Sequence, residues 1–520
     1  MELELKKGLK FLEEKHSIVT NCRAIGLLAA FEIYEDPASG KLFGGLSMLY
    51  INGEWRDTRN KLDVINPATG EVIKSVATGG QAETHEAIAS AKKAFVSWGK
   101  TTGNERSNYL SKAVQLMKER SQELAETITL ENGKPLPNAI GEVTGAIAFL
   151  EWYAEEAKRI YGDTIPASDP DKHLMVIREP VGVCAAITPW NFPLSMITRK
   201  IAPALAAGCT VVLKPAELTP LSAIMVFECL HEAGLPAGVA NLVIGPAEEI
   251  GNEMTSNPDV RKITFTGSTR VGKMLIRNSS DTVKKLSMEL GGHAPYVVFE
   301  DADIEAAVKG VLASKFVNAG QTCISTNRIY VSESVADEFS TKLAEKVSTL
   351  VVGNGLEDGV NVGPLINKAA LEKVQSQVED AVKHNGKVIS GGKVFTTNNE
   401  SGYFFEPTVI QYANDDMQIT TEETFGPIAP IYTFKTEEEV VARANHAEYG
   451  LAAYCYTKDL GRGLRMMRAL EYGIVGINDP TPAVVQSPFG GMKESGMGKE
   501  GGKYGLDEYL EEKFVSIYMK

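Results

Sequence analysis

Residues 209–288 read CTVVLKPAELTPLSAIMVFECLHEAGLPAGVANLVIGPAEEIGNEMTSNPDVRKITFTGSTRVGKMLIRNSSDTVKKLSM. CTVVLKP is an apolar, β-branched run of strand length. Thr219-Pro220 then opens a helical stretch, with proline in a first-turn position where its missing N–H costs nothing. ANLVIG is a second strand, a helix follows, and RKITFTG is a third strand. GSTRVGKMLIRNS reads as another helix and KKLSMEL as another strand. Strands alternating with helices at this spacing predict βαβ crossovers and a parallel sheet. The fold class is therefore α/β, built on a parallel sheet.

The pattern extends both ways. Downstream, APYVVFEDAD, a helix through KFVNAG, RIYVSES, further helices, GGKVFTTN and YFFEPTVI repeat the alternation, which predicts a second α/β domain. Upstream, helical periodicity runs from about Gln81 to Arg159. Before it, MLYINGEWRDTRNKLDVINPATGEVI alternates short strands with Asn-Gly and Pro-Ala-Thr-Gly turns. The first 47 residues depart from this pattern. There GLKFLEEKH is an amphipathic helix pattern, and an apolar strand-like stretch and a turn follow it.

Composition narrows the function. Hydrophobic residues are 43% and charged residues 23% of 520, the balance of a soluble globular chain. A net charge of −14 without a basic run argues against nucleic-acid partners. Cys22, Cys184, Cys209, Cys229, Cys323 and Cys455 form neither a CxxC pair nor a disulfide framework, and no zinc-type cluster is present, so no metal is expected. The uncharged run at 181–198 is broken by Pro189, Asn191 and Pro193, which spoils it as a membrane helix. The expectation is a cytoplasmic protein that does not engage membranes.

Five short motifs can carry chemistry. FTGSTRVG (265–272) sits at a strand end opening a helix, where backbone N–H groups and the helix dipole can hold a pyrophosphate. Gly267 and Gly272 would allow close approach and Ser268 could donate a hydroxyl, although the spacing is not GxGxxG and a plain structural turn reads equally well. VVLKPAE (211–217) ends another strand of the same sheet, the position where open α/β sheets bind ligands. There Lys214 and Glu217 could hold a ribose or simply pair with each other, and a carboxylate at 217 disfavours a 2′-phosphate. NAGQTC ends at Cys323, either a small buried hydrophobe or a nucleophile at a helix end where a thiolate is stabilised. In LSMELGG, Glu289 follows an apolar strand, so its pKa would be raised for general-base work unless it faces solvent. In TPWNFP, Asn191 is held between prolines, as a satisfied turn amide or an oxyanion donor.

Together these stretches resemble the aldehyde dehydrogenase superfamily over Met48 to Lys520: PWNFP, GCTVVLKPAELTP, FTGSTRVG, MELGGHAP, NAGQTC, EETFGP and PFGGMKESGMGKEGGKYG, in the family's order. The resemblance implies Cys323 as nucleophile, Glu289 as general base 34 residues earlier, and Asn191 as oxyanion donor. Lys200 and Glu500 match positions of a proton relay. It implies NAD as cofactor, with NADP as the alternative. Contacts would come from Ile187, Trp190, Lys214, Glu217, Gly267 and Ser268, from Glu423 at the nicotinamide ribose, and from Phe425 beside the ring.

Within the superfamily the chain is most similar to succinate-semialdehyde dehydrogenases, and Arg199 takes the position of a substrate-carboxylate anchor. The expected reaction is oxidation of succinate semialdehyde to succinate through a thiohemiacetal and a thioester. Two anchors of that group are absent: Val317 stands where a second arginine is usual and Ala483 where a serine often lies. Glutarate semialdehyde, lactaldehyde or a neutral aliphatic aldehyde are therefore the alternative substrates, and a cofactor-independent thiol esterase is the rival class. Ser325 replaces a second cysteine that some members carry, so no intrachain disulfide at Cys323 is expected.

Fold and domain expectations follow the same resemblance: an N-terminal extension (1–47), a Rossmann-like NAD-binding domain (48–156 and 181–291), a second α/β catalytic domain (292–490) and a small β oligomerisation arm (157–180 and 507–520). LMVIREPVGV and VSIYM are the candidate intersubunit strands of a homodimer or homotetramer. Residues 1–47 resemble a C-terminal fragment of class III aminotransferases, too short to hold pyridoxal phosphate.

Overall fold

The computed structural model describes residues 46–396 and 402–520, and within the N-terminal segment only the backbone of three strands. It falls into two units, Met1–Leu46 and Ser47–Lys520. In the first, Val19–Ile25, Leu28–Asp36 and Lys41–Leu42 form an antiparallel sheet. The helix expected at 8–16 lies outside the described residues.

The second unit is built on two large sheets. The first has eight strands, and its centre is five parallel strands in the order Lys285–Glu289, Val260–Thr266, Val183–Ile187, Thr210–Lys214, Ala240–Leu242. The chain winds outward from Val183–Ile187 to Ala240–Leu242, then returns to the other side. The topological switch point therefore lies between the carboxyl ends of Val183–Ile187 and Val260–Thr266. Val183–Ile187 and Thr210–Lys214 are buried at every position, which explains why they read as unbroken apolar runs rather than alternating ones. Leu49–Ile51 and Glu54–Arg56 add an antiparallel hairpin at one edge, turned by Asn52 and Gly53 at φ 55° and 80°. Helices Gln81–Trp98, Gly103–Glu119, Ser121–Asn132 and Leu136–Glu156 account for the upstream periodicity.

The second sheet has seven strands, ordered Lys387–Ser390, Thr408–Gln411, Ile428–Phe434, Thr326–Ser332, Ala294–Val298, Ala452–Tyr456, Ile474–Ile477, all parallel except the first pair. Each large sheet has its own hydrophobic cluster. Two local expectations fail here. GGKVFTTN supplies only an isolated bridge, Val394 to Phe405, because Gly391 and Gly392 both take positive φ and end the preceding strand; residues 397–401 of this region lie outside the described residues. The helix expected through KFVNAG stops at Lys315.

A third, antiparallel sheet pairs Leu510–Tyr518 with Lys172–Pro180, from Leu510 opposite Pro180 to Tyr518 opposite Lys172, and adds Asp163–Ile165. Its outer strand leaves Phe514, Ile517 and Tyr518 exposed. The VGV end of LMVIREPVGV instead leads into the central sheet at Val183. No helix among the described residues is long and apolar enough to cross a membrane.

Candidate active site

The switch point collects the nucleotide-binding candidates. Ile187 ends the central strand, and the hydroxyls of Thr188, the next residue, and of Thr266, at the end of the neighbouring strand, are buried without a partner. Ser268 caps helix Thr269–Asn278, its Oγ accepting from the Val271 N–H at 3.4 Å, which leaves the hydroxyl hydrogen free to donate. Beyond the adjacent strand, Lys214 Nζ lies 3.0 Å from Glu217 Oε1 and donates to the Pro215 carbonyl at 3.1 Å. Burial lowers the Lys214 pKa, and the Glu217 carboxylate opposes that. The orphaned hydroxyls, the capped helix start and the Lys–Glu pair fit the ribose and phosphate groups of a dinucleotide. Two expectations are corrected: a Cβ at Gly272 would overlap the Leu290 side chain and one at Gly267 the Phe265 ring, so the smallness of both serves internal packing rather than ligand approach.

The opposite wall comes from the second sheet. There Phe425, at a left-handed φ of 50°, meets edge-to-face at 5.5 Å the ring of Trp190, which follows the first sheet's central strand. Glu423 accepts the Gly292 N–H at 2.9 Å, and burial pushes its carboxyl up to about 7.

Cys323 follows a strained loop. Asn318, Ala319 and Gly320 take φ of 52°, 55° and 74° in succession, a left-handed run that two non-glycine residues rarely adopt. Buried Gln321 locks it, donating to the Asn318 carbonyl at 3.0 Å and accepting the Ile366 N–H at 2.9 Å. The Cys323 carbonyl packs where a side chain at Gly292 would otherwise stand. Burial, with the Glu423 carboxylate next in weight, pushes the thiol up to about 12, against the pull of Arg199. This corrects the expectation of a stabilised thiolate: the loop is not a helix N-terminus, and Asn318 and Ala319 are non-helical. In the cofactor-free enzyme, alkylation of Cys323 by iodoacetamide is accordingly expected to accelerate roughly tenfold per pH unit between about pH 7 and 9, as the thiolate fraction does. A plateau in that range would contradict a thiol pKa raised above the usual range.

Glu289 ends its strand buried, and neither carboxylate oxygen has a hydrogen-bond partner. Burial raises its pKa well above the usual carboxylate range, and the neighbouring Glu500 adds to the rise. Lys200 Nζ reaches Glu500 Oε1 at 2.5 Å and Thr264 Oγ1 at 3.3 Å, so the three ionisable groups form one buried cluster. Arg199 is clamped between the rings of Phe149 and Phe489, at 4.8 and 4.6 Å, and its Nε and Nη1 are buried without a partner. Val317 begins the turn before the strained loop and Ala483 packs on the second core. Ser325 accepts from Lys315 Nζ at 3.3 Å, and Cys323 is a free thiol.

Asn191 Nδ2 donates to the Gln321 carbonyl at 3.0 Å, so the amide faces the nucleophile loop. Residues that sequence reading passed over hold it there: Asn132, Lys134, Glu142 and Asn318. The ENGKP run at 131–135, with Gly133 left-handed at φ 90°, was the available signal.

A parallel sheet with a ligand crevice at its switch point, faced by a free cysteine and a buried unpaired carboxylate, is the arrangement of a nucleotide-dependent oxidoreductase working through a covalent thiol. The chain belongs to the aldehyde dehydrogenase family, whose model matches residues 55–515. It is 53% identical over 470 residues to a glutarate-semialdehyde dehydrogenase of Pseudomonas putida, covering 90% of this chain and 97% of that one. It is 52% identical over 469 residues to an NADP-dependent succinate-semialdehyde dehydrogenase of Escherichia coli, with coverage of 90% and 97%. Among solved structures, betaine aldehyde dehydrogenase of Staphylococcus aureus in complex with NAD+ superposes with a TM-score of 0.89 at 37% identity, covering 92% of this chain and 96% of that one. The enzyme is an oxidoreductase that uses NAD(P).

Proposed function

We propose that the enzyme oxidises a short aldehyde bearing a terminal carboxylate, succinate semialdehyde to succinate, with NAD as the preferred cofactor. The observation that carries the substrate is Arg199: a cation clamped between two phenyl rings with two buried donors unpartnered leaves an anion to complete it. Glutarate semialdehyde is the second reading, favoured by Val317, which leaves an apolar wall where a second cation would grip a shorter chain. Glu217, a carboxylate at the ribose end, supports NAD over NADP.

In this reading Cys323 Sγ gives up its proton to water and adds to the aldehyde carbon. The resulting oxyanion is held by the Asn191 amide and the Cys323 N–H; one such donor is typically worth on the order of 10²–10³ in rate. NAD supplies the hydride acceptor. Loss of hydride from the thiohemiacetal carbon leaves a thioester on Cys323. Glu289 then takes a proton from water as its oxygen attacks the thioester, and the C–S bond breaks to release the acid and the thiolate. Lys200 and Glu500 carry that proton onward. Ile187, Trp190, Lys214, Glu217, Gly267, Ser268, Glu423 and Phe425 bind the cofactor. The two cores correspond to a nucleotide-binding domain and a catalytic domain, and the exposed arm strand joins subunits of a homo-oligomer in the cytoplasm. Residues 1–47, the aminotransferase-like segment, take no part in the reaction.

The test is kcat/KM for succinate semialdehyde, glutarate semialdehyde, lactaldehyde and butyraldehyde in the native enzyme and Arg199→Leu. A charge-assisted hydrogen bond is worth about 1.5–3 kcal/mol, so the anionic aldehydes should lose roughly ten- to hundred-fold while butyraldehyde changes little. Equal losses on all four would overturn the anchor.

A further inference from the structure

We infer that Lys134, Glu142 and Asn318 are positioning residues that hold Asn191 in register with Cys323, an inference resting on the reading of Asn191 as oxyanion donor. The turn that carries Asn191 is gripped at both ends by one buried ion pair. Lys134 Nζ donates to the Asn191 carbonyl at 2.8 Å and to Glu142 Oε2 at 2.5 Å. The other oxygen of Glu142 accepts the N–H groups of Leu194 at 2.9 Å and Ser195 at 3.1 Å, where helix Ser195–Ala207 begins. Lys134 Nζ also lies 3.9 Å from the centre of the Phe192 ring, so the cation spans the whole turn. Both members of the pair are buried.

Asn318 ties this turn to the nucleophile loop. Its Nδ2 donates to the Asn191 carbonyl at 2.9 Å and, at 3.4 Å, to the same Gln321 carbonyl that Asn191 Nδ2 engages at 3.0 Å. Asn132 Nδ2 completes the grip on the Trp190 carbonyl at 3.1 Å. The Asn191 carbonyl thus accepts from two side chains, one on each side of the site, while its own amide points at the loop two residues before Cys323. A buried ion pair is a weak source of stability, because desolvation offsets its attraction. Geometry is what this pair supplies: an oxyanion donor acts only when held in place before the charge develops.

Asn318→Gly removes the amide but keeps a residue at ease at φ 52°. Lys134→Met combined with Glu142→Gln removes the pair without stranding a buried charge. Each, as purified full-length enzyme with NAD and succinate semialdehyde, is expected to lower kcat roughly ten- to hundred-fold, the scale of a donor displaced by about 1 Å. KM for both substrates should change less than about threefold, and melting curves should stay cooperative. The deciding readout is the same substitutions placed in Asn191→Ala. If they act through Asn191, they cost nothing further in that background. Full multiplicative losses there would make them merely structural and overturn the inference. Asn191→Ala turning over at the native rate would overturn the oxyanion reading itself and the inference with it. Should the double substitution fail to fold, Asn318→Gly alone decides.

Discussion

Cys323→Ala should abolish NADH formation from every aldehyde, a fall of roughly 10⁴-fold or more, because removing a nucleophile removes the whole covalent route. The site argues for so large an effect. Among the described cysteines, Cys184, Cys209, Cys229 and Cys455 are buried, and Cys323 alone is half-exposed. No nearby side chain can substitute: Glu289 is buried and Glu423 is engaged with the Gly292 N–H. The substitution removes one sulfur from a half-buried position, so the variant should melt near the native temperature and still bind NAD. A rate within about tenfold of native would contradict covalent catalysis. It would also leave the cofactor-independent esterase without a nucleophile, since that rival uses the same thiol.

Glu289→Gln should separate the two halves of the reaction. Hydride departure needs no general base beyond the thiol's own deprotonation, so a burst of NADH equal to the enzyme's subunits is expected. Hydrolysis of the thioester then limits, and steady turnover should fall about 10²–10⁴-fold. The pH dependence follows from the sign of the shift. Burial, with Glu500 next, raises the Glu289 pKa, so the carboxyl is protonated and idle at low pH. Deacylation should rise with pH as the group ionises and then level off; in Glu289→Gln that limb should vanish. A variant that loses the burst together with the steady rate would place Glu289 in the first half of the reaction instead.

Much of this was legible in the chain itself, for identifiable reasons. CTVVLKP is a strand buried at every position and the strand in RKITFTG is buried apart from Arg261, so both survive as a clear signal, while KKLSMEL is buried from Ser287 to Glu289. The positions of Ser268, Lys214 and Glu289 at strand ends follow from that reading directly. What stayed hidden depends on distant pairing. Sequence reading passes over Lys134 and Glu142 because their role comes only from burial against a turn some fifty residues on, from Asn191 to Ser195. The raised pKa of the Cys323 thiol likewise comes from desolvation and from Glu423, a hundred residues away in sequence. Gly391 and Gly392 ended a strand that composition alone continued. Thr188 and Thr266 lie within TPWNFP and FTGSTRVG, but they become visible as candidates only as orphaned hydroxyls beside the crevice.

The central claim is that the aldehyde is oxidised while bound covalently to Cys323. Its most direct test is peptide mass spectrometry of Glu289→Gln, quenched in acid just after mixing with NAD and succinate semialdehyde. The account predicts a succinyl group on the peptide containing Cys323, in amount matching the NADH burst, and none without NAD. NADH formed with Cys323 left unmodified would contradict it.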